Sequence, residues 1–108
     1  MQFKEYQHRT IETAIYPGAG SGSNEEFAYL GLGLVSEAGE VAGKIKKLLR
    51  DGEINTCAMV GEIGDVCWYV ARLCDSLNLD IDYILEENYK KLQSRKERGT
   101  LQGNGDNR

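Results

Sequence analysis

The chain has 108 residues and a formal net charge of −4. A single domain of this length buries only a small core, and its acidic balance argues against broad binding of nucleic acid or anionic membrane, which needs a basic face. No apolar run reaches the roughly 18 residues of a membrane span, and the N-terminus lacks the apolar stretch of a signal peptide, so we expect a cytoplasmic protein.

The first predicted element is a helix over about residues 2–16. Apolar and small residues recur along one side of it at helical spacing: Phe3, Tyr6, Thr10 and Ala14. A glycine- and serine-rich segment, residues 17–23, then breaks the helix. We interpret this segment as a flexible connector, with a lid over a site as the alternative.

A second helix is predicted from Asn24, as N-cap, to Arg50, with Gly52 ending it. Glu25 and Glu26 suit the positive end of its dipole in the first turn. This helix contains four internal glycines, which each cost roughly 1 kcal/mol relative to alanine: Gly31, Gly33, Gly39 and Gly43. They indicate either close approach by another backbone or a ligand, or a locally weak helix.

The third helix is predicted over about residues 55–78, with Asn55 as a possible cap. Its sequence is apolar almost all round, so we expect it to be buried almost all round. Cys67 and Cys74 lie seven residues apart on it and are interpreted as small buried residues in a reducing compartment. With a single histidine, His8, a zinc site is not expected.

The fourth helix is predicted to start near Asp80 and to end before Gly99. One side of it carries an amide and two cations that could hold phosphates: Asn88, Lys91 and Arg95. The alternative is that these side chains are only solvated. Residues 1–99 thus form one helical domain, and residues 100–108 form a polar, glycine-rich tail in which we expect no packed structure.

Two pairs of acids carry most of the functional signal, Glu37-Ala-Gly-Glu40 and Glu62-Ile-Gly-Asp65. The i, i+3 spacing puts both members of each pair on one helix face, and an antiparallel hairpin would bring the pairs together. Four such acids would repel by roughly 4 kcal/mol per close pair at an effective dielectric of about 20, unless divalent cations neutralise them. The pattern therefore predicts metal-dependent phosphate chemistry, with structural salt bridges as the alternative.

Other phosphate and metal motifs are absent. The stretch from Gly39 to Lys44 is one residue short of a Walker loop and lacks the following Ser or Thr. No Gly-x-Gly-x-x-Gly occurs, and neither acid pair carries the histidine of a di-iron bundle.

The acid pairs and their neighbours resemble those of the MazG-like, all-α nucleoside triphosphate pyrophosphohydrolases. The resemblance covers residues 34–47, 61–69 and 88–92 followed by Arg95, and the tail is similar to that of short phage and bacterial members. Some relatives carry a further acid just before the first pair. Ser36 stands there in this chain, which leaves the general base unassigned.

The resemblance implies an all-α, four-helix bundle-like fold that assembles as a homodimer or a dimer of dimers. It implies hydrolysis of a nucleoside triphosphate or deoxynucleoside triphosphate between the α- and β-phosphates, with Mg²⁺ or Mn²⁺ as cofactor. The acidic balance of the chain, and not the resemblance, predicts that no nucleic acid or membrane is a partner. Catalytic and metal-binding roles fall on Glu37, Glu40, Glu62 and Asp65. Substrate-binding roles fall on Asn88, Lys91, Arg95 and Lys44.

Three alternatives stay open. A dUTPase-like enzyme or a phosphoribosyl-nucleotide pyrophosphatase would share the metal acids and differ in the base pocket, whose candidates are Ile11, Ile15, Tyr16 and Trp68. A non-enzymatic helical adaptor would pair its acids with Lys44, Lys46 or Arg72. Viral members of this kind include enzymes that act on guanine deoxynucleotides, so dGTP is the first substrate to test, and a viral protein would act in the host cytoplasm.

Overall fold

A computed structural model describes residues 1–108 and contains only helices, with no strand. The predicted all-α fold class is confirmed. The four helices are α1 (Phe3–Arg9), α2 (Asn24–Asp51), α3 (Thr56–Ser76) and α4 (Ile81–Glu97). None of them combines the length and apolar composition that crossing a bilayer requires.

The first helix is shorter than the predicted range of residues 2–16. After Arg9 the chain tightens into a 3-10 turn over Thr10–Thr13. The Thr10 hydroxyl donates to the Gln7 carbonyl at 2.7 Å, and the Thr13 hydroxyl donates to the Thr10 carbonyl at 3.2 Å. Threonine hydroxyls compete in this way for backbone carbonyls that would otherwise continue an α-helix.

The start of α2 differs from the prediction by one residue. Ser23, not Asn24, is the N-cap, and its hydroxyl accepts a hydrogen bond from the Glu26 amide at 3.3 Å. The end of α2 is as predicted, because Gly52 takes the left-handed conformation with φ of 83°.

The predicted cap of α3 and the predicted start of α4 are confirmed. The Asn55 side chain accepts from the Ala58 amide at 3.1 Å at the start of α3. The Asp80 side chain accepts from the Asp82 amide at 2.9 Å at the start of α4. Each cap satisfies one of the amides that a helix start leaves without a partner.

The main packing unit is an antiparallel hairpin of α2 and α3, and α1 packs against α3. The buried Gln7 joins α1 to the start of α4. Its amide nitrogen donates to the Leu79 carbonyl at 2.8 Å, and its carbonyl oxygen accepts from the Ile81 amide at 2.8 Å. As a result α4 packs against α1 rather than along the hairpin.

The expectation that α3 is buried almost all round is wrong for the single chain. Val60 is 74% exposed and Ile63 is 50% exposed. Three of the four buried positions of α3 are near its C-terminal end, where α1 and the 3-10 turn cover it: Ala71, Arg72 and Cys74. The outer face of the hairpin stays uncovered because α4 lies elsewhere.

The tail has no helix or strand, yet it is not free of contacts, contrary to the prediction of no packed structure. The Arg108 guanidinium donates to the carbonyls of Thr100 at 3.1 Å and Leu101 at 3.0 Å. Arg95 of α4 donates to the Asp106 carbonyl. The tail therefore folds back on the C-terminal end of α4.

Candidate metal-binding site

Three carboxylates of the two acid pairs meet on the inner side of the α2–α3 hairpin. One oxygen from each of Glu37, Glu62 and Asp65 lies within 4.8 Å of the other two. Glu37 and Glu62 are half-buried and Asp65 is exposed. Glu40 is exposed and does not belong to this group. The structure thus brings together three of the four predicted acids.

The electrostatics of this group favour a bound cation. Burial raises the pKa of Glu37, and the charges of Asp65, Glu62 and Glu40 raise it further. One cation is near: Lys44 Nζ lies 4.0 Å from a Glu62 oxygen. A single ammonium beside one of the three carboxylates leaves most of the repulsion uncompensated, whereas Mg²⁺ prefers carboxylate oxygens as ligands. The donor set therefore fits a hard divalent cation.

The predicted phosphate ligands of α4 do not line this site. Asn88 and Lys91 are exposed on a helix that packs against α1. Arg95 is 7% exposed and is engaged by the tail. In a single chain, only Lys44 of the four predicted substrate-binding residues lies beside the acids.

A cavity of about 280 Å³ opens next to the acids. It is lined by Thr13, Glu37, Asp65, Trp68 and Tyr69. The Trp68 indole donates to the Thr13 hydroxyl at 2.8 Å, and the Trp68 and Tyr69 rings meet edge to face with centroids 5.0 Å apart. The cavity joins an aromatic wall to the carboxylate cluster.

This geometry shows which of the four candidates for the base pocket lie at the cavity. Trp68 lines the cavity, and Tyr16 is buried behind it with ring centroids 6.0 Å apart. Ile15 is 95% exposed, and neither it nor Ile11 lines the cavity. The sequence analysis missed two lining residues, Thr13 and Tyr69. Tyr69 carried a usable signal, since it follows Asp65 by four residues on the same helix face.

One of the four α2 glycines is explained by close packing. A β-carbon placed on Gly33 would lie 2.0 Å from Cε1 of the Tyr69 ring, whereas one on any of the other three would meet nothing within 4 Å. The close neighbour is a side chain, not the backbone or ligand that the sequence indicated. Gly33 therefore admits the Tyr69 ring that lines the cavity.

We expect Gly33→Ala to displace the Tyr69 ring and to change the shape of the cavity. Overpacking costs about 1–3 kcal/mol, partly offset by the roughly 1 kcal/mol of helix propensity that alanine gains over glycine. Urea denaturation measures the change in stability, and near-UV circular dichroism of the aromatic side chains measures the displacement of the ring. Gly39→Ala is the matched control, since it gains the propensity without a clash. Equal near-UV spectra for the two variants would contradict the prediction.

Another acid, Glu26, lies outside the carboxylate cluster and is fully buried near the start of α2. Its carboxylate accepts hydrogen bonds from the Tyr16 hydroxyl at 2.6 Å, the Gly20 amide at 2.6 Å and the Gly22 amide at 2.9 Å. Burial by itself raises the pKa of Glu26, but these hydrogen bonds outweigh it and lower the pKa to about 2. The sequence analysis had placed Glu26 only in the first turn of a helix.

The cation that faces Glu26 is Arg72. If the protein were a non-enzymatic adaptor, Arg72 was one of three cations predicted to pair with the clustered acids instead. Arg72 is 1% exposed, and its guanidinium lies 3.8 Å from Glu26 and 2.8 Å from Asp75. It makes no ion pair with Glu37, Glu62 or Asp65, and neither does Lys46. Of the three cations that this alternative required, only Lys44 approaches an acid of the cluster.

Comparison with known proteins agrees with the helices and the acid cluster. Residues 25–100 match the family model of the MazG nucleotide pyrophosphohydrolase domain, so the chain belongs to the MazG family. It is also similar to the Gene 37 protein of Mycobacterium phage L5, with 50% identity over 109 aligned residues that cover 95% of this chain and 96% of the phage protein. No solved structure matches the chain. The family resemblance inferred from the acid motifs is thereby confirmed.

Proposed function

We propose that the protein hydrolyses a nucleoside or deoxynucleoside triphosphate between the α- and β-phosphates and requires Mg²⁺. Membership of the MazG family supports nucleotide pyrophosphohydrolase activity in general. The observation that carries the finer proposal is the cluster of three carboxylates beside an aromatic cavity. Because a phage protein is a relative, we place the reaction in the cytoplasm of a bacterial host.

Glu37, Glu62 and Asp65 would hold the metal, with Mn²⁺ as a possible substitute for Mg²⁺. Glu40, on the same helix as Glu37, is a further candidate ligand. When bound, the metal neutralises phosphate oxygens and lowers the pKa of the attacking water. The chain supplies the fixed carboxylates, and the hairpin holds them in place before substrate binds.

The cavity would receive the nucleoside part of the substrate. Trp68 and Tyr69 offer ring faces for stacking with a base, and the Thr13 hydroxyl offers a hydrogen-bonding group. Lys44, beside Glu62, would face the phosphates as a positive charge. Hydrolysis then adds water across the α–β phosphoanhydride, and pyrophosphate leaves with the bridging oxygen.

The activity test is incubation with each NTP and dNTP plus Mg²⁺, with products separated by chromatography. With dGTP as the first substrate, we expect dGMP and pyrophosphate without dGDP, and no product in excess EDTA. Early release of dGDP and inorganic phosphate would contradict the position of cleavage. Exclusive turnover of dUTP or of a phosphoribosyl nucleotide would favour those alternatives, and no turnover of any nucleotide would favour the adaptor.

The exposed apolar surface supports assembly with further copies of the chain. Large apolar side chains are exposed at helical spacing on three helices: Leu32 and Val35 on α2, Val60 and Ile63 on α3, and Leu85, Tyr89 and Leu92 on α4. Exposed apolar side chains repeated along one helix face indicate an interface more strongly than singly scattered ones. A second copy could also bring its α4, with Asn88 and Lys91, to the carboxylate cluster. We therefore propose a homodimer or a dimer of dimers.

Sedimentation equilibrium should accordingly give at least twice the 12.0 kDa chain mass. The double variant Leu32→Glu, Val35→Glu should shift the mass toward one chain, since two charges would have to be buried in the interface. Leu101→Glu, on the exposed tail, is the matched control and should keep the wild-type mass. A fully active wild-type monomer at micromolar concentration would refute the assembly proposal.

A further inference from the structure

The glycine-rich segment between α1 and α2, residues 17–23, surrounds the carboxylate of Glu26. Gly18, Gly20 and Gly22 have positive φ values of 77°, 76° and 65°. This conformation turns the amides of Gly20 and Gly22 inward onto the two oxygens of the Glu26 carboxylate. Successive amides arranged in this way form a concave site for an anion. The segment predicted to be a flexible connector is therefore closed around Glu26.

The same carboxylate determines where Tyr16 lies. The Tyr16 hydroxyl donates to Glu26 at 2.6 Å and accepts from the Arg72 guanidinium at 3.3 Å. Tyr16 stacks on Tyr29 with centroids 4.8 Å apart and meets the Trp68 ring edge to face at 6.0 Å. Trp68 in turn lines the cavity beside the acids.

We propose that Glu26 is a positioning residue for the nucleotide cavity. It closes the glycine segment and holds the Tyr16 ring against Trp68, and so sets the aromatic wall of the cavity without touching the substrate. That the cavity binds a nucleotide depends on the proposed function, whereas the contacts that link Glu26 to Trp68 do not.

The geometry predicts chemical rescue. Glu26→Ala removes the carboxylate but keeps the two glycine amides, the Tyr16 hydroxyl and the Arg72 guanidinium around the space it leaves. Formate has the same two-oxygen acceptor geometry and should fill this space. Glu25→Ala is the matched control, because Glu25 is the exposed neighbour in the same helical turn and its removal changes the net charge equally.

Trp68 is the single tryptophan of the chain, so its fluorescence reports the cavity wall without any nucleotide. We expect a red-shifted emission and stronger acrylamide quenching in folded Glu26→Ala, and a saturable return toward the wild-type spectrum with formate but not with chloride at equal ionic strength. Wild type and Glu25→Ala should not respond to formate. An unchanged Trp68 spectrum in Glu26→Ala, or no difference between formate and chloride, overturns the proposal.

Tyr16→Phe provides a second variant in case Glu26→Ala does not fold. It keeps the ring and removes only the hydroxyl that binds Glu26. A smaller red shift, unaffected by formate because the carboxylate is still present, supports the proposal. A wild-type spectrum overturns it.

Enzyme kinetics then distinguishes a role of Glu26 in positioning the cavity wall from a role only in the stability of the fold. We expect Glu26→Ala to raise the KM about tenfold with a smaller change in kcat, and formate to lower that KM toward the wild-type value. A wild-type KM in the folded variant overturns the positioning role even if the enzyme activity is established. If the wild-type protein hydrolyses no nucleotide, the proposed function fails and the Trp68 measurements alone decide the role of Glu26.

Discussion

Glu62→Gln is expected to lower kcat for nucleotide hydrolysis by more than about 100-fold while helical circular dichroism is unchanged. Loss of a residue that only supports a metal ligand commonly costs 10–100-fold in metal affinity or activity, so loss of a ligand should cost at least as much. Glutamine keeps the shape of glutamate but removes the negative charge that would hold the proposed cation. Glu37→Gln should behave in the same way, since both carboxylates belong to the cluster.

The same substitutions should act on stability in the opposite direction when no metal is bound. Removing one of three clustered like charges relieves repulsion, so in EDTA we expect an unchanged or higher Tm for Glu62→Gln. Mg²⁺ at about 100 times its Kd stabilises a binding protein by about 2.7 kcal/mol, so Mg²⁺ should raise the Tm of the wild-type protein but not of the variant.

Glu25→Gln is the control for both measurements, because it removes one exposed acid from α2 outside the cluster. It should keep both the wild-type kcat and the wild-type response to Mg²⁺. A Tm that rises equally with Mg²⁺ in the wild-type protein and in Glu62→Gln would contradict the metal site. Retained kcat in Glu62→Gln would contradict its role in catalysis.

Arg72→Met is expected to lower the free energy of unfolding by about 3–5 kcal/mol, the usual cost of removing one partner of a buried ion pair. The substitution leaves the Glu26 carboxylate, which is fully buried, without its cation. The guanidinium also donates to Asp75 at 2.8 Å and to Tyr16 at 3.3 Å, and these hydrogen bonds are lost with it. For urea m-values of about 1–3 kcal/mol/M, the midpoint should fall by about 1 M or more.

Arg50→Met is the matched control, because Arg50 forms an ion pair of 2.7 Å with Asp51 on the exposed end of α2. Exposed pairs contribute about 0–1 kcal/mol, so the urea midpoint of this variant should stay close to that of the wild-type protein. Adding Glu26→Gln to Arg72→Met should recover part of the loss, since it removes the uncompensated charge. All variants are compared at one chain concentration, because the proposed assembly would link stability to concentration. Equal midpoints for Arg72→Met and Arg50→Met would contradict the prediction.

The candidate site could be predicted to a large extent because its signal is local. The i, i+3 spacing within each acid pair and the short connection between α2 and α3 already require the pairs to approach each other. Glu40 departs from this expectation for a geometric reason. Three residues along a helix correspond to about 300°, so acids at this spacing point roughly 60° apart. On α3 both members of the pair stay within reach of the cluster, whereas on α2 Glu37 is half-buried and Glu40, roughly 60° further round, is exposed and lies outside it.

The remaining parts of the site come from residues far apart in the sequence. Thr13 and Trp68 are joined by a hydrogen bond across 55 positions, and Tyr16 and Arg72 across 56. No periodicity within one helix predicts such a pair, since it depends on how α1 and the 3-10 turn pack against α3. Glu26 shows the consequence. Its position in the sequence predicts only an acid in the first turn of a helix, whereas its contacts with Tyr16 and Arg72 depend on the packing of other segments.

The all-α class, most helix ends and the acid pairs could be predicted from the sequence, because periodicity and capping act over only a few residues. Which helix faces are covered depends on how the helices pack against one another. Gln7 binds both sides of the turn before α4, which directs α4 onto α1 and leaves the outer face of the α2–α3 hairpin exposed. An apolar residue is buried only if another element reaches it, and that depends on the packing of segments distant in the chain.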